Sequence, residues 1–100
     1  MLDKRIKFEE RFDNDTYNTT TLYFIAPKEM LKTMMVKDYP EAISMEISIE
    51  FPIDCIEARY ADVCVSPTNE EGEDYDWYDI DLPYNEIEAL IELAKKNLKI

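Results

Sequence analysis

One hundred residues, 46% of them hydrophobic, with a formal net charge of −12, make one domain around one modest core and exclude wholesale disorder. Histidine is absent and glycine occurs once, at Gly72, which excludes a histidine-based catalytic triad and a Gly-rich phosphate cradle. The negative balance disfavours nucleic acid and anionic membrane as direct ligands, and no stretch approaches the ~20 apolar residues of a membrane span.

Met1-Leu2-Asp3-Lys4-Arg5 is followed by no apolar run, so no secretory signal is expected and the expected location is cytoplasmic. Lys4 to Phe12 reads as a strand, with Ile6, Phe8 and Phe12 on one face and Lys7, Glu9 and Arg11 on the other. Glu10 interrupts the alternation and marks an edge or a bulge. Asp13-Asn14-Asp15 is a turn signal, because short Asx side chains bond the local backbone. Thr19 to Ile25 is the return strand, rich in β-branched and aromatic residues. Pro27 is expected to open a short helix. There Met30, Leu31, Met34 and Met35 share one face, and Asp38-Tyr39-Pro40 ends it.

Ile43 to Phe51 is the clearest strand. Ile43, Met45, Ile47, Ile49 and Phe51 alternate with Ser44, Glu46, Ser48 and Glu50, as in an antiparallel sheet covered on one side. Glu57 to Val65 is a further strand, with Ala61, Val63 and Val65 inward and Tyr60, Asp62 and Cys64 opposite. Ser66 to Glu73 is a polar loop. Asp74 to Leu82 is the last strand, with Tyr78, Ile80 and Leu82 on one face and Tyr75, Trp77, Asp79 and Asp81 on the other. Asn85-Glu86-Ile87-Glu88 has the form of a capping box. It opens a helix whose stripe is Ile87, Leu90, Ile91, Ala94 and Leu98. The order ββαβββα predicts an α+β fold over residues 1–100: a single-layer, mostly antiparallel sheet of about five strands, packed on one face by helices. Where the first hairpin joins the sheet is left open.

No catalytic, cofactor-binding or metal-binding residue is expected. Paired carboxylates can hydrolyse glycosides, but that chemistry needs a pocket that raises one pKa and holds a sugar. Glu70 to Asp81 is acidic enough to attract calcium yet lacks the spacing of an EF-hand loop. Cys55 and Cys64 have no histidine to complete a zinc site and are expected as two reduced thiols.

The most informative feature is the distribution of charge. Between Lys37 and Lys95 stand 17 acidic residues and one basic residue, Arg59. The stretch from Glu70 to Asp81 holds seven carboxylates and three aromatics. Self-repulsion of this kind costs stability, so a basic partner is the simplest reason for it. In a strand, i and i+2 side chains lie about 6.6–6.8 Å apart on one face. Tyr75, Trp77, Asp79 and Asp81 are therefore expected to form a row, aromatic at one end and charged at the other. The expected partner-binding residues are Glu70, Glu71, Glu73, Asp74, Tyr75, Asp76, Trp77, Asp79 and Asp81, with Glu46 and Glu50 extending the patch if they share its face.

In composition and size, the chain resembles phage-encoded DNA-mimic inhibitors of restriction or CRISPR enzymes, and small immunity proteins that neutralise nuclease toxins. The resemblance implies a non-catalytic anti-defence inhibitor or decoy that docks on a basic, nucleic-acid-binding surface of another protein. It carries no residue roles. The competing reading is a non-catalytic accessory or structural domain. It would be homodimeric through a sheet edge or the methionine-rich helix face, and its acidity would serve solubility alone.

Overall fold

The computed structural model describes residues 3–34 and 40–98. Its elements are β1 (Lys7–Asn14), β2 (Thr19–Pro27), a short α1 (Met30–Thr33), β3 (Ser44–Pro52), a 3-10 turn (Ala58–Tyr60), β4 (Asp62–Thr68), β5 (Tyr78–Ile80) and α2 (Tyr84–Leu98). The strands form one antiparallel sheet in the order β1-β2-β3-β4-β5. This is the α+β single sheet that the alternation predicts. The first hairpin joins through β2, which leaves β1 and β5 as the edges.

The covered face follows from register. Met45, Ile47, Ile49 and Phe51 of β3 lie opposite Ala26, Phe24, Leu22 and Thr20 of β2. On the other side, Ile47 and Ile49 meet Val65 and Val63 of β4. All of these are buried. Ile87, Leu90, Ile91 and Ala94 of α2 close over them, joined by Leu31 of α1 and Ala58 of the 3-10 turn. Met30 and Met34 pack against the same core. Burying each large aliphatic side chain contributes roughly 1.5–3 kcal/mol. Phe8 and Phe24 extend the core to β1 through an edge-to-face contact, with ring centroids 5.6 Å apart.

Several local expectations are corrected. Register shifts by one residue between Phe8 and Glu10, so Glu9 is the extra residue of a β-bulge. Beyond it, Arg11 and Asp13 fall opposite Leu22 and Thr20 on the covered side, whereas Phe12 falls opposite Thr21 on the open side. Phe12 therefore does not share the face of Phe8, and it is 53% exposed. Arg11 and Asp13 form an ion pair at 2.9 Å, and Asp13 accepts a 2.9 Å hydrogen bond from the buried Thr20 hydroxyl. A polar pair thus finishes the covered side where the core runs out.

Ile43 precedes β3 and is 56% exposed rather than inward. Pro27 ends β2 instead of opening a helix, at a position where its missing N–H breaks no central ladder. The strand expected from Glu57 begins at Asp62, because Ala58–Tyr60 is a 3-10 turn. β4 then runs to Thr68, into the segment expected to be a loop, and Ser66 and Thr68 are buried. The capping box does not form as predicted. α2 starts at Tyr84, and the Pro83 carbonyl accepts from Glu86 N and Ile87 N at 3.0 and 3.2 Å, so Asn85 lies inside the first turn. Met35, Asp38 and Tyr39 of the expected first helix lie outside the described residues.

Candidate functional site

Helices cover one face of the sheet, and the other carries the charge. Register places Lys7, Glu10 and Phe12 of β1 on the open face, with Thr21, Tyr23 and Ile25 of β2. β3 contributes Ser44, Glu46, Ser48 and Glu50, and β4 contributes Asp62, Cys64, Ser66 and Thr68. Asp79 of β5 completes it, opposite Cys64. The five strands hold two cations, Lys7 and Arg11, and only Lys7 lies on this face.

Two acidic groupings result. In one, Glu50 lies directly opposite Asp62, a like-charge cross-strand pair of a kind that destabilises a sheet. Beside it, the Cys64 thiol donates to Asp79 Oδ1 at 3.0 Å. Burial pushes the Cys64 thiol up to about 11, and the Asp79 hydrogen bond and the charges of Asp79, Asp62 and Glu50 add to the shift. In the other, Glu46 on the central strand meets Asp74. Burial pushes the Glu46 carboxyl up to about 7, reinforced by the charge of Asp74, a hydrogen bond to it, and the charges of Glu9 and Glu10. Between the two groupings stands Tyr23, whose hydroxyl is raised by burial and then by Glu46, Glu10, Glu50 and Asp74. Register places Glu46, Glu50, Asp62, Cys64, Asp79 and Tyr23 on the same open face.

The expected row of Tyr75, Trp77, Asp79 and Asp81 is broken. β5 spans only Tyr78–Ile80, and upstream the one further bridge joins Thr68 to Asp74. Between these pairings, Ser66 and Pro67 face three residues, Tyr75, Asp76 and Trp77. Pro67 has no N–H to continue the ladder, although its carbonyl accepts from Tyr75 N at 2.9 Å. Trp77 is 43% exposed, Tyr75 is half-buried and Asp76 is exposed.

The remaining predicted residues fall into two other places. Glu70, Glu71 and Glu73 are exposed on a loop wound around Asn69, whose Oδ1 accepts from Glu71 N and Glu73 N, each at 3.0 Å. Gly72 supplies the positive φ of 79° that this turn requires. Asp81 lies beyond β5 and, with Asp79 and Glu86, lines a groove whose apolar part is Met30, Met34, Ile80 and Leu82. Of the nine predicted positions, register and contacts thus bring Asp74 and Asp79 onto the open face. Glu46 and Glu50 share that face, as their alternation allowed. Glu10 was missed because the bulge reassigns it. Asp62 and Cys64 carried the right signal, alternation against Val63 and Val65, but lay outside the acidic run that drew attention.

Among the described residues, no group of three or more Cys, Asp or Glu is arranged to hold a metal ion, and no helix is long and apolar enough to cross a membrane. Both cysteines are free thiols. Comparison of the chain with protein-family models, with curated proteins and with solved structures finds no match.

Proposed function

We propose that the protein is a non-catalytic acidic binder that docks its open sheet face onto a basic surface of a partner protein, one that normally holds nucleic acid, and so acts as an inhibitor or decoy. The observation that carries this reading is the like-charge packing on that face. Glu50 opposes Asp62, Glu46 meets Asp74, and Asp79 adjoins them through Cys64. The Glu50–Asp62 opposition is one that folding alone does not favour, and a cationic partner would relieve it. Tyr23, Phe12 and Trp77 supply aromatic area within or beside the charge, the combination that anchors interfaces while carboxylates steer the encounter.

The test is capture of partners from a cognate lysate by three proteins: wild type, Glu50→Lys/Asp79→Lys, and Glu88→Lys/Glu92→Lys. The last pair is exposed on α2 and makes the same change in net charge. The expected result is a basic partner held by wild type and by the helix variant, lost by the open-face variant, and weakened as salt rises. Equal loss in both variants would reduce the effect to net charge and overturn the reading. So would undiminished capture by the open-face variant.

A further inference from the structure

Between α1, the end of β5 and the first turn of α2, the fold leaves a groove of about 500 Å³. Its apolar lining comes from all three elements. Met34 N donates to Met30 O at 3.1 Å, so the two methionines lie one helical turn apart on one side of α1, while Leu31 is sunk in the core. Ile80 pairs with the inward Val63, which turns it to the covered side, and Leu82 is half-buried on the way into α2. The floor opens into a smaller pocket of about 40 Å³. That pocket shares Met30, Met34, Leu82 and Glu86 with the groove and reaches Ile6, Ile47 and Leu90 of the core.

The charged lining has one sign. Asp79, Asp81 and Glu86 line the groove, Asp3 lines the inner pocket, and no Lys or Arg lines either. Arg5 is held by Asp3 at 2.9 Å and by Glu29 at 3.9 Å. Asp81 and Glu86 form no ion pair among the described residues. Methionine side chains adapt to apolar occupants of differing shape, and ligand-binding clefts have volumes of roughly 300–1,000 Å³. An apolar floor rimmed only by carboxylates selects an occupant that carries both hydrocarbon and positive charge.

We propose that this groove is a second docking site, separate from the open face, for a cationic amphipathic segment of a partner protein. A large apolar side chain of the segment inserts between Met30, Met34 and Leu82, and flanking Lys or Arg side chains meet Asp81 and Glu86. An acidic segment is repelled there, and a purely apolar one leaves the carboxylates unanswered. Asp79 lines both surfaces, whereas Glu46, Glu50 and Asp62 do not line the groove.

The test is the binding of three model peptides of equal length to the purified protein, with methyl-labelled methionine followed by NMR. One peptide is built of leucine and lysine, one of serine and lysine, and one of leucine and glutamate. The expected result is that the leucine–lysine peptide moves the Met30 and Met34 methyl signals and binds about tenfold or more tighter than either of the others. Asp81→Lys/Glu86→Lys should weaken it about tenfold or more, and Glu88→Lys/Glu92→Lys, the same change in net charge on exposed positions of α2, by less than about threefold. Unmoved Met30 and Met34 signals place the peptide elsewhere and overturn the proposal. Equal binding of the serine–lysine peptide, equal binding of the leucine–glutamate peptide, or equal weakening by the two variants overturns it as well. If Asp81→Lys/Glu86→Lys fails to fold, the methyl signals and the three peptides on wild type still decide. Neither variant alters Glu50 or Asp79, so failure of the groove is distinguishable from failure of open-face docking.

Discussion

Three side chains show how burial converts ordinary residues into sensitive ones. Glu46 is raised from the usual carboxylate range to about 7, so the folded state binds its proton more tightly than the unfolded chain does. The stability this contributes is fully present below about pH 4.5 and is lost as pH rises through about 7. Glu46→Gln removes that dependence. Its urea midpoint is expected to match wild type near about pH 4.5 and to exceed it at about pH 8, which paired denaturation curves would check. Cys64 is raised to about 11, two units above an ordinary thiol, so its thiolate is roughly a hundredfold scarcer at mild alkaline pH. A thiol reagent at about pH 8 should label the exposed Cys55 first and Cys64 roughly a hundredfold more slowly. Asp79→Asn, which removes the charged acceptor, should speed Cys64 labelling. Equal rates at the two thiols would contradict the Cys64–Asp79 contact. Thr20 is the third case: wholly buried, its hydroxyl is satisfied by Asp13, a partner that depends on the bulge.

At the scale of elements, legibility tracked how many constraints each segment carries. β3 has partners on both sides and one face against α2, so its period-2 alternation could not be compromised, and it is plain in the sequence. α2 was equally plain, because an amphipathic stripe is set by the helix's own 3.6-residue period. The same helix provides a contrast. Leu90→Ala, at 1% exposure, should cost about 2–5 kcal/mol, and Tyr84→Ala, at 62% exposure, within about 0.5 kcal/mol of nothing. Similar costs from the two in chemical denaturation would mean that α2 packs differently. The edges were harder to read. β1 pairs on one side only, so it tolerates an inserted Glu9, and that one residue decided which face received Phe12. β5 was expected to be three times its actual length. Its acidic residues alternate with aromatics well enough, but alternation does not reveal that Pro67 stops the ladder on the facing strand. The candidate site was half legible for the same reason. Glu46, Glu50, Asp62 and Cys64 could be placed on a wet face from local pattern, whereas bringing Asp74 to Glu46 required the cross-strand register.

For the whole molecule, charge works against folding. The net charge is −12, and each ion pair among the described residues, such as Arg5–Asp3 and Lys95–Glu92, has at least one exposed side chain. Exposed pairs of this kind are worth about 0–1 kcal/mol each, too little to offset repulsion across the open face. Added salt should therefore stabilise the protein. The Tm is expected to rise between about 0.02 M and about 0.3 M sodium chloride, as the screening length shortens from over 20 Å to about 6 Å. The shift should shrink in Glu50→Lys/Asp79→Lys. A Tm that falls with salt would show that attraction outweighs repulsion. The helices and the core lie on one side of the sheet and the carboxylate pairs on the other.

Local periodicity and composition alone were enough to set the α+β class, the identity of the core strand and helix, and the excess of negative charge. Those properties arise from neighbours a few residues apart, whose spacing is written directly in the chain. Which carboxylates meet depended on pairings between distant segments: the bulge at Glu9, the stop at Pro67, and the return of Asp74 to β4. Such pairings are selected by the whole sheet closing on one core, and no stretch of sequence contains them by itself.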